Sequence, residues 1–108
     1  MIKRILGVLA GLTLAVPASA TSWTDVNTLL GLVEKTGTTV SVRNCEQEGV
    51  MGFYQFDKQN NIDLLAICKN SVDMTDSDAV WEVVAHEATH VIQACAGGPV
   101  IKDSMVPR

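Results

Sequence analysis

His86-Glu87-Ala88-Thr89-His90 places two imidazoles four residues apart with a carboxylate directly after the first. On a helix, positions four apart lie one turn above each other, so both rings can offer a nitrogen to one metal ion. Glu87 then sits beside the open coordination position, where a carboxylate can take a proton from water. His86 and His90 are the chain's only two histidines.

The segment from Trp81 to Gln93 reads as a helix. At about 100° per residue, Ala79, Glu82, Val83, His86, His90, Gln93 and Gly97 fall on one side. Val80, Trp81, Val84, Ala85, Ala88, Val91, Ile92 and Cys95 fall on the other. The expected arrangement therefore has an apolar stripe against the core and the histidines opposite it, lining a cleft. The competing reading is a solvent-facing helix whose histidines are incidental; it requires no metal.

These residues resemble the zincin metallopeptidases, whose active-site helix bears the H-E-x-x-H motif. The resemblance implies Zn2+ as cofactor, His86 and His90 as ligands, Glu87 as the catalytic base, and a peptide or protein as substrate. A catalytic zinc takes three protein ligands and one water. The metzincin subgroup sets its third histidine six residues after the second, and Ala96 stands there. The subgroup with a glutamate on a later helix has no counterpart, because no Glu follows Glu87. Asp103, the remaining downstream carboxylate, is carried as third ligand, beyond a Gly97-Gly98-Pro99 turn that can redirect the chain. Glu82 and Gln93 share the histidine side and are assigned to support the ligands from behind. A reading frame cut short would account for the absent glutamate, the odd cysteine and the brief tail together.

The elements that must position this helix are few. Met1 to Ala20 has a basic start, an apolar run from Ile5 to Val16 and an Ala18-Ser19-Ala20 ending, the pattern of a secretory signal peptide cleaved after Ala20. The run is shorter than the roughly 20 residues that span a bilayer, so no membrane span is expected after cleavage. Residues 21–108 make one small domain, secreted or periplasmic. Lys3 and Arg4 leave with the leader, and six basic residues then face twelve acidic ones. Such a balance excludes nucleic acid and anionic membrane as partners. It sets no oligomeric state.

Val26, Leu29, Leu30 and Val33 repeat at helical spacing, with Ser22 or Thr24 as cap and Gly37 as stop. Thr38 to Arg43 alternates like a half-buried strand. Val50–Phe56 and Ile62–Cys68 read as two strands joined by the polar turn Asp57 to Asn61. The long helix is expected from about Asp76 to Ala96, started by Thr75 with Asp78. Val100 to Arg108 shows no periodicity. The fold class is α+β: an N-terminal helix, a small antiparallel sheet with a hairpin, then the long H-E-x-x-H helix.

A strand of a zincin sheet pairs with the extended substrate, so the resemblance implies that role for one hairpin strand; otherwise the hairpin merely covers the helix. Tyr54 is a candidate oxyanion donor, or else a packed aromatic. Among Cys45, Cys68 and Cys95, the Cys45–Cys68 pair brackets the hairpin and is preferred, with Cys68–Cys95 as the alternative. An unpaired Cys95 is expected as a small buried hydrophobe. The function expected is zinc-dependent hydrolysis of peptide bonds. Its alternative is a secreted binding module on the same scaffold, with metal or disulfide serving stability alone.

Overall fold

A computed structural model describes residues 21–97 and 100–106, with the side chains of 100–103 outside the description. The expected signal peptide, residues 1–20, lies outside the described residues. The elements are α1 (Trp23–Lys35), β1 (Thr39–Arg43), β2 (Gly52–Asp57), β3 (Ile62–Cys68), α2 (Ser77–Cys95) and β4 (Val100–Met105). The fold is a small α+β arrangement of two helices and one four-stranded mixed sheet.

α1 begins at Ser22, whose hydroxyl accepts from the Asp25 amide while the Asp25 carboxylate accepts from the Ser22 amide. This reciprocal pair satisfies two donors that the first turn leaves exposed. Val26 and Val33 bury the inner face, and Gly37 at φ 94° takes the chain out of the helix.

Strand order is β1-β3-β2-β4, with β1 parallel to β3 and the other two pairs antiparallel. The expected antiparallel sheet, finished by the long helix, is thus corrected. β1 pairs in parallel, and a strand follows α2 where no periodicity was visible. The reason lies in β3: Leu65, Ala66, Ile67 and Cys68 are all at most 1% exposed. A strand apolar on both faces takes the interior of a sheet, so β1 and β2 flank it. β2 then offers its other side to β4, from Asp57↔Val100 to Gly52↔Met105.

Cys45 and Cys68 form the disulfide, with Cα atoms 5.3 Å apart. It ties the exit of β1 to the end of β3, and the Asn70 side chain reinforces the junction by exchanging two hydrogen bonds with the Cys45 backbone. Closing a 23-residue separation contributes about 3 kcal/mol in the chain-entropy treatment.

Both helices lie on one sheet face. Val80, Val83, Val84, Val91 and Ala94 of α2 pack with Tyr54, Leu65 and Ile67 of the sheet and with Val26 and Val33 of α1. The closest approach is at Gly52. A Cβ there would run into Val83 Cγ1 and stand 2.9 Å from the Ala66 carbonyl oxygen, so only glycine lets α2 settle this near β2.

Candidate metal centre

α2 is capped by Asp76, not by Thr75 as expected. The Asp76 carboxylate accepts from the amides of Asp78 and Ala79 at 3.0 and 3.3 Å. The Thr75 hydroxyl and amide are both engaged by Asp73 at 2.6 and 2.9 Å, which removes Thr75 from capping. These two bonds hold the Asp73 carboxyl below its ordinary pKa.

The buried positions of α2 are Val80, Val83, Val84, Glu87, Ala88, Val91 and Ala94. Sequence spacing had put the histidines opposite the apolar stripe; instead the stripe is turned so that Glu87 lies near its middle and the histidines on its flank. The correction follows from Val83 and Glu87, which face β2 across the close approach at Gly52, with Glu87 Cγ 3.8 Å from where a Cβ would stand. The same turn leaves Cys95 exposed rather than buried and Ile92 70% exposed.

His86 is exposed, His90 is partly buried, and Glu87 is 0% exposed. One ligand atom from each of the three lies within 4.8 Å of the others. The imidazole centroids are 5.3 Å apart, with the planes at 67°. Two ligands on a tetrahedral zinc stand about 3.4 Å apart, so closing on one ion asks for a shift of order 1 Å at the side-chain tips. His90 Nδ1 lies 2.8 Å from Gln93 Oε1. With the amide oxygen accepting, the proton of that contact sits on Nδ1. Two imidazole nitrogens with a carboxylate oxygen beside them make a group that could hold a metal ion.

The remaining candidates are distributed as follows. Gln93 is at the site, against His90. Glu82 lies in a groove with Thr21, Asp76, Asp78 and Trp81, outside the group of three. Tyr54 is 1% exposed; its hydroxyl donates to Asp63 Oδ1 at 2.8 Å, where Thr38 Oγ1 also donates. Burial first, and then the Asp63 bond, push the Tyr54 pKa well above its ordinary value. Asp103 occupies β4 opposite Tyr54 in the ladder, and β4 packs beside α2. A separate concavity, lined by Arg43, Cys45, Val50, Phe53, Gln55 and Ser104, includes none of the three clustered side chains. Sequence reasoning missed Asp63, whose signal was an acid inside an apolar strand, Ile62 to Cys68.

Searches with protein-family models, against curated proteins and against solved structures found no match to this chain. No helix among the described residues is long and apolar enough to cross a membrane.

Proposed function

We propose that this protein is an exported zinc-dependent peptidase of zincin type, with His86 and His90 as ligands and Glu87 as proton carrier. The carrying observation is the convergence of His86, Glu87 and His90 within 4.8 Å, with the Gln93 amide fixing the ring of His90. Asp103 is the proposed third ligand, because its strand packs beside α2 and its backbone pairs with Tyr54 in the ladder.

When bound, zinc supplies acidification of water to a pKa of about 7 and polarisation of a carbonyl. The rest is done by the chain's own groups. Gln93 keeps His90 in one tautomer and orientation. Glu87, held by the packing around Gly52, takes a proton from the attacking water and returns it to the departing amine. The disulfide and the apolar contacts beneath α2 hold these groups on a rigid element, as a site of this kind requires.

A second reading has its own support. Glu87 is fully buried, a position that suits a non-catalytic module in which metal or disulfide gives stability alone. Metal analysis of untagged protein, followed by peptide cleavage by wild type and Glu87→Gln, separates the two. The peptidase reading expects about one zinc per chain, cleavage abolished by chelation, and zinc retained without cleavage in Glu87→Gln. Zinc content with no cleavage of any peptide by the wild type supports the module. Absence of zinc rejects the peptidase and leaves a module stabilised by the disulfide alone.

A further inference from the structure

Thr21 is anchored at both of its backbone polar groups. Its amide nitrogen donates to Asp78 Oδ1 at 3.1 Å, and its carbonyl oxygen accepts from Ser77 Oγ at 2.5 Å. Both partners belong to the first turn of α2, so the residue before the α1 cap is tied to the start of the histidine-bearing helix. The groove around Thr21 is lined by Asp76, Asp78, Ala79, Trp81, Glu82 and Ala85, with no basic residue among them. The Asp76 carboxylate is engaged in capping. On the α1 side, Asp25 accepts from the Ser22 amide.

A peptide N–H is a neutral donor, and one neutral donor is a modest reason to gather carboxylates. The sequence supplies a stronger one, since Ala18-Ser19-Ala20 is the expected processing site and Thr21 is the residue that follows it. Hydrolysis by a leader peptidase adds water across the Ala20–Thr21 bond, leaving a carboxylate on Ala20. The Thr21 nitrogen takes the electron pair of the broken C–N bond, ends with both protons of the added water and becomes an ammonium.

We propose that the α-amino group released at Thr21 forms an ion pair with Asp78, so that leader removal fastens the start of α2 to the start of α1. The nitrogen is already within hydrogen-bond reach of Oδ1, and an ammonium there makes a charge-assisted bond of about twice the strength of a neutral one. Helix N-termini repel cations, and Asp76, Asp78 and Glu82 supply the opposing charge. The proposal rests on cleavage after Ala20 and is independent of the metal reading.

The test begins with the N-terminal sequence of the exported protein, which is expected to start at Thr21. The chain from Thr21 to Arg108 is then melted with a free amino group and with that group acetylated, which keeps the N–H and removes the charge. Both are treated with chelator, so that failure of the metal site leaves the comparison intact. At pH 6 the free form is expected to melt about 2–4 °C higher. An unfolded α-amino group has a pKa of about 7.7–8.0, and pairing with Asp78 raises it. The advantage is therefore full below that range and is lost as pH climbs through the folded value. In Asp78→Asn the two forms should melt together, the cost of the substitution falling equally on both. A mature chain that begins elsewhere, melting points within about 0.5 °C of each other at pH 6, or a difference that survives Asp78→Asn would each overturn the proposal.

Discussion

The Gln93 side-chain oxygen lies 2.8 Å from Nδ1 of His90, one helical turn beyond the ring it orients. A residue that fixes a proposed ligand from behind is felt in metal affinity. Gln93→Ala is expected to weaken zinc binding by about 10- to 100-fold with little change in the far-UV circular dichroism. Gln93→Glu, which keeps the acceptor, should restore most of it. Competition against a chelator of known affinity reads both, and an unchanged affinity in Gln93→Ala would remove Gln93 from the site.

Glu87 and the histidines should separate by function. His86→Ala removes a proposed ligand and is expected to abolish stoichiometric zinc. Glu87→Gln preserves shape and should keep the ion while lowering peptide cleavage by at least about 100-fold, the usual scale for loss of a general base. Cleavage by Glu87→Gln at the wild-type rate would exclude the proposed proton carrier.

Gly52 governs how near α2 lies to β2. Gly52→Ala must push Val83 or the strand aside, because the new methyl would overlap Val83 Cγ1. A loss of about 1–3 kcal/mol is expected, measured by urea unfolding. Since Glu87 is on the same contact, zinc affinity should fall with it, whereas a purely local packing defect would leave the affinity intact.

Tyr54 makes the fold sensitive to alkali. Its folded pKa is raised above the ordinary value of 10.0 by burial and then by Asp63. A raised acid pKa means that stability is fully present below about pH 10 and declines as pH climbs toward the folded value. Tyr54→Phe should lose about 1 kcal/mol at pH 7 and show a flatter decline above pH 10. Parallel slopes for the two proteins would assign the alkaline loss to other groups.

Reduction of Cys45–Cys68 is expected to lower stability by about 3 kcal/mol, seen as a fall in Tm with dithiothreitol. Cys95→Ser, at an exposed position, should stay within about 0.5 kcal/mol of wild type. A large effect of Cys95→Ser would contradict the exposure described for it.

Periodicity and turn chemistry in the sequence were enough to locate both helices, three strands and the Cys45–Cys68 pair. His86, Glu87 and His90 were legible from spacing alone, since a helix brings them together whatever it packs against. What spacing could not supply was rotation. A seven-position buried stripe with a carboxylate near its centre looks, on a helical projection, like a narrower apolar face turned away from it. Glu87 was expected beside the open coordination position, and the structure packs its Cγ toward Gly52 of β2. β4 escaped because Lys102, Asp103 and Ser104 interrupt any alternation, and an edge strand gets its pairing from backbone groups that leave no mark on residue type. The parallel β1–β3 ladder escaped for a related reason: order in a sheet is set by which strand can be buried on both faces.

The β2–β4 ladder joins positions as far apart as Gly52 and Met105, whereas the β2–β3 turn joins near neighbours and α2 is satisfied within itself. Loop-closure entropy delays distant pairings during folding. Maturation should therefore proceed from the local hairpin and the autonomous helix outward, with the outermost rung knitted last. Until then β2 is bare along one side, and the nascent domain is most exposed to sticky encounters with other chains during that interval.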